Sequence, residues 1–301
     1  MLTTPEDKWL DVAGLRLHSR DWGGFGRPVV LLHGLASTCH IWDLVAPLLG
    51  DDFAVVALDQ RGHGESDRPD RGYDFATVGD DLHGLIGALG LERPVIVGHS
   101  WGGDVAMEYA VAHPDVPGGL ALVDGGMIEV SNRPGMTLAK AKEELAPPKF
   151  VGTTAEDLIE RARSWDNGLS MNPQLEGILL ANFDVLEDKT IRARLSRENH
   201  MRIIEALWEH RPSLLCPQVQ SPVLLMPARR QANDPPAARR FRREEAVATA
   251  AELLPRSKTV WLEDSIHDVP LQRPQLVADV ISDNIRNGLF GQWPGDDRTV
   301  G

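Results

Sequence analysis

Short continuous apolar runs, separated by amphipathic stretches, organise the first half of the chain. Residues 28–32 read PVVLL, 53–58 read FAVVAL, 94–97 read PVIV and 120–123 read LALV. Runs this short, without polar alternation, predict strands buried on both faces. Between them, 40–49, 74–89 and 101–113 carry helical spacing. Strand alternating with helix predicts a parallel sheet with crossover helices. The stretch 8–22, with turn signals at Ala13-Gly14 and Gly23-Gly24, predicts an antiparallel pair at the sheet edge.

The pattern changes at about residue 127, after which no buried strand run occurs until the PVLLM run at 222–226. Helical spacing covers 155–165, 173–187 and 190–210, punctuated by Pro134, Pro147, Pro148, Pro173 and Pro212. A second late strand is predicted at 258–262 (KTVWL), with helices at 237–254 and 272–286. An insert of roughly 85 residues is a subdomain and not a loop. The division predicted is therefore an α/β core from 1–126 and 216–301, and a helical cap from 127–215. The tail, 287–301, is rich in Gly and Asp and is expected to be loosely held.

Composition narrows the partners. Of 301 residues, 44 are acidic and 31 basic, a net charge of −13. Nucleic acid and anionic membrane both require clustered Lys and Arg, so neither is expected as a partner. Cys39 and Cys216 make no disulfide framework, and no His/Cys spacing suggests zinc, so no metal or cofactor is expected. The N-terminus lacks a basic start and an apolar run, and no apolar stretch approaches the roughly 18 residues of a membrane span. These features predict a cytoplasmic protein; a homodimer is compatible with them and is not required.

The chemistry centres on Gly98-His99-Ser100-Trp101-Gly102, which follows a predicted buried strand and opens a predicted helix. That context suits a nucleophile elbow, in which glycines allow a turn too sharp for side chains and the serine is forced into a strained backbone state. A serine hydroxyl needs a base. Of ten histidines, His267 lies in a loop after the 258–262 strand and before a helix, where it can reach across the sheet edge. His18, His83, His113, His200 and His210 fall in patterns that read as surface, helix or cap positions.

Together, His33-Gly34, Asp59-Gln-Arg-Gly-His-Gly-Glu-Ser66, the Ser100 elbow, the cap insert and His267 make the chain resemble the α/β-hydrolase superfamily. The resemblance implies a mostly parallel, eight-stranded sheet flanked by helices. It also implies an acid to orient the base. Most of the family carries that acid after the strand following the cap, but here the stretch reads Pro222-Val-Leu-Leu-Met-Pro-Ala-Arg-Arg-Gln231, with Gln231 at the acid position and Ala228 at the usual glycine. Asp234 lies three residues beyond. Some members, among them haloalkane dehalogenases and zearalenone lactone hydrolases, carry the acid after the strand before the cap. That position is Asp124, in Leu122-Val-Asp-Gly-Gly126, and it is preferred, with Asp234 as the alternative.

By the same resemblance, the amides of Leu35 and Trp101 would hold an oxyanion, beside Gly34. His33, Asp59, Arg61 and His63 would shape loops, and His99 would pack and hydrogen-bond. Epoxide hydrolases and haloalkane dehalogenases of this fold use Asp at the elbow, and Ser100 speaks against both chemistries. The cap's Phe150, Trp165, Met171, Phe183, Met201 and Trp208 are expected partly to pack the cap and partly to line a pocket, with Trp165, Trp208 and Trp101 the leading pocket candidates. The function expected is hydrolysis of a carboxylic ester or lactone of a small, largely apolar substrate. The alternatives are hydrolysis of a C–C bond in a β-diketone and a non-catalytic small-ligand receptor.

Overall fold

The computed structural model describes residues 4–127, 129–164, 168–230 and 237–295. Eight strands form one sheet: β1 (Glu6–Val12), β2 (Leu15–Gly23), β3 (Arg27–Leu32), β4 (Phe53–Leu58), β5 (Val95–His99), β6 (Gly119–Val123), β7 (Val223–Met226) and β8 (Ser257–Thr259). Their order across the sheet is β1-β2-β4-β3-β5-β6-β7-β8. Only β2 pairs antiparallel, with β1 and with β4; every other pairing is parallel. The β1–β2 turn uses Ala13 and Gly14, both at positive φ, which suits a two-residue hairpin. The residues of β3, β5, β6 and β7 are buried throughout, as their unbroken apolar runs require.

Two apolar layers cover the sheet. One face packs against α1 (Phe75–Ala88) and α2 (Trp101–Ala112), through Leu82, Leu85, Val105 and Tyr109. The other packs against the helix Pro274–Arg286, through Val277, Ala278 and Ile281. Between β6 and β7 the chain forms α3 (Leu138–Glu144), α4 (Ala155–Arg163), α5 (Pro173–Leu180) and α6 (Arg197–Glu209). This insert is tied to the core by Arg68 on Asp184 (2.8 Å), Arg194 on the Gly64 carbonyl (3.0 Å) and Asn199 on the Tyr73 hydroxyl (2.8 Å). No helix among the described residues is long and apolar enough to cross a membrane.

Four expectations need correction. The helix expected at 40–49 is a 3-10 turn (Cys39–Trp42) followed by one helical turn (Ala46–Leu49), because Pro47 has no N–H to carry the helix through. The helices expected at 173–187 and 190–210 are shortened by a small hairpin, Phe183–Val185 against Ile191–Ala193. Asn182 closes α5 by donating to the Ile178 and Leu179 carbonyls, and Lys189 (φ 65°) with the Asp188 carboxylate on the Thr190 amide makes the turn. The strand expected at 258–262 splits, its last part being Leu262–Glu263 paired to Ala228–Arg229. The described part of the tail, 287–295, is held at Phe290, which is buried against Gly119 and whose carbonyl accepts from the Arg27 guanidinium (3.1 Å), while 296–301 lie outside the described residues. Burying that ring contributes about 2–3 kcal/mol.

The register places the chemistry. Leu32 pairs with Gly98 and His99 with Val123, so His33-Gly34, Ser100 and Asp124 emerge side by side at one sheet edge.

Candidate active site

Ser100 sits between β5 and α2 at φ 51°, ψ −123°. The glycines around it admit no side chain. A Cβ on Gly98 would run into the Gly102 carbonyl, and one on Gly102 would stand 2.5 Å from the Leu32 carbonyl oxygen. The strain has a use: it lifts Oγ above the sheet edge and leaves the amide bonded to Val123 O (3.1 Å). Ala36 (φ 55°) and Asp124 (φ 46°) share the left-handed region, so three strained residues surround one site.

The structure brings Ser100, His267 and Asp124 into one hydrogen-bonded chain. His267 Nε2 is 3.0 Å from Ser100 Oγ, and its Nδ1 is 2.6 Å from Asp124 Oδ2. With Nδ1–H donating to the carboxylate, Nε2 is the bare nitrogen that accepts the serine proton. Burial by itself lowers the affinity of His267 for a proton; the Asp124 bond and charge outweigh it and leave the imidazole above its ordinary pKa. Asp124 is buried, which alone would raise it. His267, Arg243 and the Ala228 amide (2.9 Å) hold it below the usual carboxylate range instead. The alternative acid, Asp234, and Gln231 lie outside the described residues.

His99, next to the nucleophile, donates from Nε2 to the His267 carbonyl (2.8 Å). Burial and the neighbouring His267 push it down to about 4, so it stays neutral. The loop-shaping histidines are occupied too. His33 bonds the Gly34 carbonyl (2.8 Å) and takes the Gln60 amide (3.0 Å), while His63 takes the Ala36 amide (3.3 Å). Burial, then His33, pushes His63 down to about 3.

Nearby, His18, Cys39 and Asp59 form a buried group with the elements of a metal site. Its atoms are spent on one another: His18 Nδ1 bonds Asp59 Oδ2 (2.7 Å), and the Cys39 amide bonds Asp59 Oδ1 (2.7 Å). These are hydrogen-bond contacts that tie the loops after β3 and β4 together.

A cavity of about 220 Å³ opens on Ser100 and His267. Gly34 and Leu35 line it from the β3 loop, and Met171 lines it from the insert. A Cβ at Gly34 would stand 3.0 Å from that of Ser100. Trp101 offers its amide at the N-terminus of α2, where opening N–H groups have no intrahelical acceptor, but its indole is buried against His63 (5.4 Å between ring centres) and does not line the cavity. Neither Trp208, half-buried on α6, nor Met201 is among the lining residues. Phe150 and Phe183 pack edge-to-face on each other inside the insert (4.8 Å). Trp165 lies outside the described residues.

The lining is aliphatic instead: Leu169, Leu175, Ile178 and Leu179, with Ile41 and Leu271 from the core. The i, i+3, i+4 stripe of 175, 178 and 179 is the sequence signal that would have found it. A larger cavity, about 1280 Å³, is lined by Met127, Arg133, Lys140, Ser213 and Arg243, among others. None of the three hydrogen-bonded groups lines it, so the chemistry belongs to the smaller one.

Known proteins agree with this architecture. Over 113 residues the chain is 37% identical to a soluble epoxide hydrolase of Corynebacterium sp. strain C12, a stretch that covers 38% of this chain and 39% of that protein. The match thus spans about two fifths of that relative's length. The crystal structure of E-2-(acetamidomethylene)succinate hydrolase superposes with a TM-score of 0.75 at 22% identity, covering 94% of this chain and 100% of the other. A malate-bound thermophilic esterase from Thermogutta terrifontis gives 0.68 at 25% identity, covering 94% and 98%. Residues 29–280 match the model of the alpha/beta hydrolase family. With that match spanning most of the chain, and with a sheet whose edge carries the elbow and its neighbours, this chain belongs to the alpha/beta hydrolase family.

Proposed function

We propose that this hydrolase cleaves a carboxylic ester or lactone of a small, neutral substrate through an acyl-enzyme on Ser100. The observation that carries the reading is the continuous bond path from Ser100 Oγ through His267 to Asp124 Oδ2 (3.0 and 2.6 Å). In this mechanism His267 Nε2 takes the serine proton as Oγ attacks the carbonyl carbon. Asp124 keeps the imidazole in the required tautomer and balances the imidazolium. The amides of Leu35 and Trp101 donate hydrogen bonds to the carbonyl oxygen as negative charge develops on it. His267 returns the proton to the leaving alkoxide, which departs as the alcohol; in a lactone it stays tethered. Water then gives its proton to His267 and opens the acyl-enzyme, and Ser100 regains its own proton.

One feature supports ester over epoxide chemistry, despite the epoxide hydrolase relative. The elbow residue is a serine, and a serine ether formed from an epoxide has no carbonyl carbon for water to attack. The small cavity is lined chiefly by aliphatic side chains, with no Lys or Arg among the described lining residues, which suits a neutral substrate. In this reading 127–215 is a cap that shapes the acyl pocket.

The test is Ser100→Ala, assayed on p-nitrophenyl acetate and butyrate and on a small lactone panel. Hydrolysis should vanish while the circular dichroism spectrum is unchanged. Retained turnover in the folded variant overturns the reading.

A further inference from the structure

Arg243 lies on the helix Ala237–Leu253, which packs against the sheet beyond β7. Its Nη1 stands 3.2 Å from Asp124 Oδ1 and donates to the Ala228 carbonyl at 2.8 Å. The Ala228 amide donates to the same Asp124 oxygen at 2.9 Å. Asp124, Ala228 and Arg243 therefore close a ring of contacts on Oδ1, the oxygen that His267 does not use. The Asp124 side chain is 2% exposed. When His267 is neutral, between turnovers, that carboxylate is a buried anion, and a buried charge needs a partner. Arg243 is that partner.

The same cation acts on the base. The charged and titratable groups facing His267 are Asp124 from the end of β6, Asp268 from its own loop, neutral His99 from the end of β5, and Arg243. Asp124 and Asp268 favour the imidazolium and Arg243 opposes it. We propose that Arg243 is a positioning residue for the Ser100 reaction: it anchors Asp124 through Oδ1 and moderates the negative charge that Asp124 presents to His267. The proposal rests on the reading of Ser100, His267 and Asp124 given above.

Two readouts test it on the full chain. The first is the pH dependence of kcat/KM on p-nitrophenyl butyrate for Arg243→Met and Arg243→Lys. Without the cation, the acid limb should move to higher pH by about 0.5–1 unit, since a nearby charge has been removed. The kcat should fall about tenfold as Asp124 loosens. Arg243→Lys should restore the limb but not all of kcat, because an ammonium supplies the charge without the planar fork.

The second readout is the downfield Nδ1 proton of His267, followed by NMR against pH in Ser100→Ala with and without Arg243→Met. It needs no turnover, and its midpoint should rise by the same amount. If Arg243→Met does not fold, Arg243→Gln removes the charge while keeping a donor for the Ala228 carbonyl. An unmoved limb and an unmoved proton midpoint overturn the role of Arg243. Ester hydrolysis that survives Ser100→Ala overturns the triad reading instead, and the two failures are distinct.

Discussion

His99 Nε2 donates to the backbone carbonyl of His267 at 2.8 Å, so the residue before the nucleophile holds the main chain of the base. The imidazole of His99 is neutral and lines the cavity beside Ser100, and its hydrogen bond fixes where His267 starts. Its loss should therefore show chiefly in kcat. His99→Leu is expected to lower kcat by about 10–100-fold, the cost of a small misplacement of a reacting group. Steady-state kinetics on a short ester check this, and an unchanged kcat would leave His99 a packing residue.

Asp124→Asn keeps the size of the side chain but offers Nδ1 of His267 no carboxylate. The imidazole then loses the preference for the tautomer that leaves Nε2 bare, and kcat should drop by about 10⁴. A mild loss would shift attention to Asp234.

The pH profile follows from the direction of the His267 shift. Asp124 raises its pKa above the ordinary 6.5, and only the neutral imidazole accepts the serine proton. Activity should therefore fall as the pH drops through a midpoint above 6.5. A kcat/KM profile measured between pH 5 and 9, flat down to 6, would contradict the geometry.

His210 closes the C-terminal end of α6 onto α2. Its Nδ1 is 2.8 Å from Glu108 Oε1 and its Nε2 3.2 Å from Asp104 Oδ1. Burial alone would lower it, but the two carboxylates, Asp104 foremost, push it up to about 9. Because the folded value is raised, the stabilisation is complete below the ordinary 6.5 and is lost as pH rises through about 9. The melting temperature should fall across that window, and His210→Gln should flatten the dependence. A thermal melt series from pH 6 to 10 reads both.

Gly125 packs its Cα against the Ser100 carbonyl so closely that a Cβ would overlap that oxygen. Two backbones cannot part without moving the elbow. Gly125→Ala should cost about 3 kcal/mol or more, measured by urea denaturation, and reduce esterase activity with it.

What could be read in the sequence was local. The apolar runs became β3 to β7 because strands buried on both faces leave no other pattern. The elbow showed itself through Gly98 and Gly102, whose need is steric and independent of the rest of the chain. His267 stood out as the histidine in a loop between a late strand and a helix, and Asp124 came from the resemblance, which carried the strand-end position with it. The cap hairpin stayed hidden because Phe183 and Leu186 continue the helical stripe of Leu175, Ile178 and Leu179, and only Asn182 and the Asp188–Thr190 turn break it. The aromatic residues of the insert could not be divided between packing and pocket from the sequence, because bulk predicts burial and not which cavity a side chain faces: Phe150 and Phe183 pack on each other. Arg243 could not be read at all, since its meaning lies in a contact between a helix and a strand end far away in the chain.

Ser100 and Asp124 are extensions of the sheet, their amides bonded to Val123 O and Met226 O (3.1 and 3.0 Å). His267 hangs from a loop held by the Ser265 amide on the Arg229 carbonyl, by Gln272 on the Ile266 amide and by His99 on the His267 carbonyl, and entered through Asp264 at φ 53°. Such a loop opens at a lower free-energy cost than the strands beneath it. Warming should thus silence the protein reversibly while the sheet is still intact, and durability on heating becomes a matter of one short loop. Relieving the left-handed residue with Asp264→Gly or Asp264→Asn is where an engineer would begin.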